Sequence, residues 1–222
     1  MEINKDKLKT DMKEFYSRSK PYLEQLKKHD LSVFGKYIKK IIRYVPAKSK
    51  VLDVGCGVGQ VSNFLAGRGY NVIGTDISQL LIEEAKKNGK ANFRVMDALN
   101  LEFEDKRFDC VISAETIEHI PDPEKMLSEI HRVLKNGGIL VLRFPNRQNK
   151  VKQLSTLIKK RPRFEIVNPN LGADVYGEDE DLCYLASTAD IIVYLRERGF
   201  KILETKPWFW RAGLIIAKKD NQ

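Results

Sequence analysis

The stretch VLDVGCGVGQ, residues 51–60, reads as a buried strand that runs into a glycine-rich turn, with a helical pattern starting directly behind it. Glycine at 55, 57 and 59 lets the backbone bend tightly and lets a ligand lie against the main chain without meeting a Cβ. Asp76 ends the next apolar strand, 21 residues after Gly55, where a carboxylate can accept from both hydroxyls of a ribose. Together they read as a nucleoside-binding turn, with a plain tight turn as the alternative. Two details narrow the nucleoside. A dinucleotide fingerprint needs glycine at position 60, which is Gln60, and no G-K-[ST] follows to make a Walker loop. Asp53 would repel a pyrophosphate and suits a cationic ligand instead.

Working outward, short apolar strands alternate with helical patterns. The strands are expected at 51–54, 71–75, 92–96, 108–114 and 139–144, and the helices at 58–67, 78–87 and 123–134. Asn136-Gly137-Gly138 is expected to end the last helix, because glycine takes the left-handed conformation of a helix C-terminus. Parallel neighbours need crossovers, so the alternation predicts a parallel sheet with helices on both faces. It resumes with a helix at about 188–198 and strands at 200–205 and 213–218. Ahead of the core, Leu8, Met12, Phe15, Tyr16, Tyr22, Leu23 and Leu26 recur at helical spacing, divided near Pro21. A further amphipathic helix is expected over 31–45, with Phe34, Ile38, Ile41 and Ile42 on its apolar stripe. The expected layout is one domain over 1–222: a helical cap (1–46), a ligand-binding core (47–144), an insert (145–186) and a C-terminal helix with two strands (187–222).

Composition sets the outer limits. Of 222 residues, 42% are hydrophobic and 31% charged, which excludes a disordered or fibrous chain. No apolar run approaches the roughly 18 residues of a membrane span, and the N-terminus shows no signal-peptide core, so a cytoplasmic protein is expected. The three cysteines, Cys56, Cys110 and Cys183, are widely spaced, which excludes a disulfide scaffold and a cysteine-built zinc knuckle. Net charge is +9, but residues 1–50 hold +8 of it while 51–144 hold −3. Basic flanks around a slightly acidic core fit solvated amphipathic helices, and fit a nucleic-acid enzyme as the less favoured alternative.

The run VLDVGCGVGQ, followed by GTDIS at 74–78, MDALNL at 96–101, FDCVISAETIEHIPDP at 108–123 and RVLKNGGILVLRFPN at 132–146, resembles the class I S-adenosylmethionine-dependent methyltransferases. The resemblance is close over about 35–145, leans toward the ubiquinone-biosynthesis O-methyltransferases, and continues in pattern over 187–218. It implies a Rossmann-like α/β fold: a seven-stranded, mostly parallel sheet with an antiparallel last strand and a helical cap. By position, Gly55, Cys56, Gly57 and Gly59 would lie along the methionyl part of S-adenosylmethionine, and Asp53 would face its amino group or sulfonium. Asp76 would hold the ribose, Ile77 would pack on the adenine, Asp97 would accept from its exocyclic amine, and the Ala98 backbone would meet the ring edge. Ala114 would contact the cofactor near the reacting methyl group. Asp109, Cys110 and the Cys56 side chain read as structural.

The resemblance implies methyl transfer to a small molecule, most simply to a hydroxyl oxygen. An RNA 2′-O-ribose methyltransferase and a non-catalytic cofactor-binding module are the alternatives. His119 is the candidate general base, with a structural histidine as its other reading; His29 and His131 read as surface residues. Glu115, Glu118 and His119 have the spacing of one helical face and could bind a divalent cation, but no fourth ligand is evident and no metal is assigned. Tyr16 and Tyr22 resemble aromatic positions that fold over the cofactor. Trp208, Phe209 and Trp210 are candidates for an apolar pocket.

Overall fold

The computed structural model describes residues 4–87, 89–146, 150–160, 162, 164–166, 184–185, 187–206 and 212–221. Cys183 and the apolar-pocket candidates Trp208, Phe209 and Trp210 lie outside these residues. Five parallel strands form the first part of the sheet: β1 (Lys50–Val54), β2 (Asn71–Asp76), β3 (Asn92–Val95), β4 (Phe108–Ala114) and β5 (Leu134–Pro145). A two-stranded piece, β6 (Glu165–Ile166) with β7 (Tyr184–Leu185), stands apart. Strands β8 (Phe200–Thr205) and β9 (Ala212–Lys219) complete a seven-stranded sheet of order β3-β2-β1-β4-β5-β9-β8. Within that sheet β9 runs antiparallel to both of its neighbours, β5 and β8.

Side-chain alternation explains the two layers of packing. Leu52, Val54, Val111, Leu140 and Leu142 point to one face, under α6 (Pro123–Val133) and α8 (Thr188–Glu197). Val51, Val72, Ile112, Val141 and Ile216 point to the other, under α3 (Gly35–Tyr44) and α4 (Gln60–Ala66). Most of these side chains are fully buried, each contributing about 1.5–3 kcal/mol against exposure. Helix α5 (Gln79–Lys87) packs on β2 and β3, and α7 (Lys150–Lys159) packs on α8.

At the N-terminus, α1 (Lys5–Arg18) ends at Ser19, whose hydroxyl accepts from Tyr22 N–H and caps α2 (Lys20–Lys28). The break falls two residues before Pro21, which sits in the first turn of α2, where a missing N–H costs nothing. The helix expected over 31–45 begins instead as a 3₁₀ turn, Leu31–Phe34, capped by Asp30, and Ile42 is exposed rather than packed. Helix α6 ends at Val133, earlier than expected. Leu134 is already extended and pairs with Phe108, while Gly137, at φ +74°, serves a bend inside β5 rather than a helix end. His131, read as a surface residue, is instead half-buried and packs edge-on against Phe200 at 5.4 Å. Asp109 fastens strand starts: it accepts from Lys50 N–H at 2.8 Å and pairs with Lys135 at 2.6 Å.

Candidate functional site at the carboxyl ends of the strands

A cavity of about 400 Å³ opens at the carboxyl ends of β1, β2 and β4, under α1 and α2. Its floor is the glycine turn. The N–H groups of Gly55 and Cys56 both donate to the Thr75 carbonyl, at 2.8 and 2.9 Å, which folds the turn back onto β2. Gly55 has φ +74°, and a Cβ there would lie 2.2 Å from the Thr116 hydroxyl. Asp76 braces the turn: one carboxylate oxygen accepts from Gly57 N–H at 3.0 Å, the other from Ser78 N–H at 3.0 Å.

Asp53 points from β1 to the face covered by α4, where Ser62 donates to it at 2.6 Å. It is only 5% exposed. Burial pushes its carboxyl up to about 7; the Ser62 hydrogen bond pulls the other way, and the Asp76 charge adds to the rise. Burial also raises Asp76, opposed by its backbone N–H partners. Both carboxylates are thus harder to ionise than solvated ones, and a positive charge beside them would favour their ionised forms.

Of the residues expected at the site, Asp53, Gly55, Cys56, Gly57, Asp76, Ile77, Asp97, Ala98, Ala114 and His119 all line the cavity. Gly59 does not. At φ +74° it starts α4, and a Cβ would lie 2.6 Å from the Phe93 ring, so its glycine serves helix–strand packing. Asp97 accepts from Leu99 N–H at 2.8 Å and pairs with Lys9 of α1 at 2.6 Å. Ile77 packs against the α1 residues Leu8, Met12 and Tyr16.

The helical cap closes the cavity through named contacts. Ser78 donates to the Tyr16 carbonyl at 2.7 Å, and Gln60 donates to the carbonyls of Leu26 and His29 at 3.3 and 2.6 Å. Tyr16 and Tyr22 both face the cavity, their ring centres 5.3 Å apart. Lys9, Gln60, Tyr37 and Arg143 also line it, none of which the sequence pattern marks. Gln60 draws notice there only as a residue that breaks a dinucleotide motif; its structural use is to tie α2 over the turn.

The Glu115–Glu118–His119 constellation does not converge. Residues 117–119 form a 3₁₀ turn rather than an α-helix, and Glu115 sits at φ +51°. Glu115 pairs with Arg143 at 2.9 Å, while Glu118 turns inward at 2% exposure. Among the described residues no three His, Cys, Asp or Glu side chains gather as a metal site. His119 remains at the cavity wall, its Nε2 3.7 Å from Glu118 and its ring 6.2 Å from that of Tyr16.

Residues 52–142 match the family model described as a methyltransferase domain. Over these residues the chain is similar to the S-adenosylmethionine-dependent methyltransferases. Among similar proteins, the ubiquinone biosynthesis O-methyltransferase of Coxiella burnetii is 37% identical over 119 residues, covering 51% of each chain. The chloroplastic tocopherol O-methyltransferase of Arabidopsis thaliana is 41% identical over 101 residues, covering 42% of this chain and 29% of the relative. The chain thus spans about half, or less, of the length of these relatives. A solved SAM-dependent methyltransferase of Methanosarcina mazei superposes with a TM-score of 0.64 at 28% identity, covering 82% of this chain and 98% of that one. Among the described residues, no helix is long and apolar enough to cross a membrane.

Proposed function

We propose that the chain binds S-adenosylmethionine in the main cavity and transfers its methyl group to a hydroxyl oxygen of a small molecule. The observation that carries this reading is the pair Asp53 and Asp76 beneath the glycine turn. A phosphate-bearing cofactor would meet like charge there, whereas a cation restores the ionised state that burial opposes. When bound, the cofactor supplies a methyl group already activated on a sulfonium sulfur.

The chain's own residues then have separable tasks. Gly55 and Gly57 present bare backbone to the amino-acid part, with the Cys56 main chain between them. Asp53 offers its charge to the cationic end. Asp76 has lone pairs left for the ribose hydroxyls after serving Gly57 and Ser78. Ile77 packs on the base, Asp97 and the Ala98 backbone read its edge, and Ala114 ends β4 near the reacting end. Tyr16 and Tyr22 exclude water from above. His119 takes the proton of the acceptor hydroxyl, and the Glu118 carboxylate 3.7 Å away stabilises the imidazolium that results. The O-methyltransferases among the relatives support oxygen as the acceptor atom.

The test is incubation of the purified protein with methyl-labelled S-adenosylmethionine and a cell extract. Label is expected in small hydroxylated molecules; label confined to RNA would contradict the proposal.

A further inference from the structure

Beside the main cavity lies a second of about 240 Å³, and the two share Val33, Tyr37 and Arg143 in their walls. Three cationic side chains surround the smaller one: Lys36 from the start of α3, Arg143 near the end of β5, and Lys206 just after β8. Among the described residues that line it there is no carboxylate. Glu115, which engages Arg143 at 2.9 Å, lines the main cavity instead. The floor is apolar, built from Gly213 and Leu214 of β9.

We propose that this side cavity receives an anionic group, a carboxylate or a phosphate, carried by the methyl acceptor. The inference rests on the reading of the main cavity as the cofactor site, since it places the acceptor next door. Arg143 stands at the junction. Its guanidinium lies 5.3 Å from the centre of the Phe34 ring, so cation–π contact and the Glu115 pair fix its plane. Such a fork can bind a carboxylate or phosphate in two-pronged fashion. Lys206 is half-buried and held below the usual lysine range, first by burial and then by the charges of Lys36 and Arg143. The three cations line one cavity, and an anion entering it would be attracted by all of them. An acceptor anchored by its anion would point its hydroxyl past Arg143 toward Ala114 and His119, both in the main cavity.

The experiment measures binding of benzoate, phenyl phosphate and uncharged benzyl alcohol by NMR titration, with and without S-adenosylhomocysteine. In the wild-type protein at least one anion is expected to bind tenfold or more tighter than the alcohol, the carboxylate and phosphate arms showing which. Lys36→Gln/Lys206→Gln should abolish that preference while leaving S-adenosylhomocysteine affinity unchanged, because neither lysine lines the main cavity. Equal binding of anion and alcohol, no anion binding at millimolar concentration, or a preference surviving in the double variant would each overturn the inference. Failure of S-adenosylhomocysteine to bind the wild-type protein would instead overturn the cofactor reading, and the titration without it still tests the side cavity for anions.

Discussion

Lys9 Nζ lies 2.6 Å from an Asp97 carboxylate oxygen, so a helix ahead of the β/α core grips the acidic residue that follows the third strand. Both side chains are partly solvated, at 41% and 25% exposure, so the pair contributes only about 0–1 kcal/mol to stability. Its expected consequence is kinetic. Together with the Ser78–Tyr16 bond it holds α1 over the cavity, so a nucleoside bound as proposed is expected to leave when α1 lifts. Lys9→Ala should therefore leave the melting temperature nearly unchanged and speed release of S-adenosylhomocysteine several-fold in stopped-flow. An unchanged release rate would contradict the role of α1 as a cover.

Asp53 makes the cavity pH-sensitive. Burial pushes its carboxyl up to about 7 in the folded chain, against an ordinary value of 3.8 when unfolded. The folded state therefore holds the proton more tightly, and stability falls as pH rises from about 4 to about 7, the loss being complete above that. Asp53→Asn removes this penalty. In urea unfolding without ligand it should be more stable than wild type by on the order of a few kcal/mol near pH 8, with the gap closing toward pH 4. A gap that is constant with pH would show that Asp53 is ionised in the folded chain throughout.

The same carboxyl links binding to protons. A cationic ligand favours ionised Asp53, so S-adenosylmethionine should bind more tightly as pH rises through about 7 and should release a proton as it does. Calorimetry in buffers of different ionisation enthalpy reads that proton directly.

Two glycines of one turn should behave differently. In Gly59→Ala the left-handed backbone and the Cβ clash with Phe93 at 2.6 Å act together, costing about 2–4 kcal/mol of folding stability. In Gly57→Ala the Cβ meets only the tip of Leu26 at 3.5 Å, leaving about 1–2 kcal/mol of backbone strain at φ +53°. Thermal unfolding of both variants should rank them so.

His119→Ala should lower turnover by roughly a hundredfold or more, the scale of a lost general base. S-adenosylhomocysteine affinity should change little. Full activity would reduce His119 to a packing residue beside Glu118 and Tyr16.

Much of this architecture is legible in the residues. Strands such as Val51–Val54 announce themselves because both faces are buried, and Asp53 and Asp76 stand out as carboxylates at strand ends where nothing in the packing calls for them. What was not legible depends on distance in the chain. Glycine at 59 looks identical to glycine at 57 until Phe93, on another strand, arrives against it. Glu115, Glu118 and His119 look like one face only if the segment is α-helical; a left-handed residue at 115 and a 3₁₀ turn after it send them apart. Lys9 and Arg143 belong to elements whose approach to the cavity no local pattern encodes.

The most direct test is calorimetric titration of the wild-type protein and Asp76→Ala with S-adenosylhomocysteine and, separately, with a nicotinamide dinucleotide. The wild type should bind the nucleoside and not the dinucleotide, and Asp76→Ala should lose about 1–3 kcal/mol of that binding, the scale of hydrogen bonds to a charged group. Undiminished affinity in Asp76→Ala, or binding of the dinucleotide in place of the nucleoside, would contradict the assignment of the cavity.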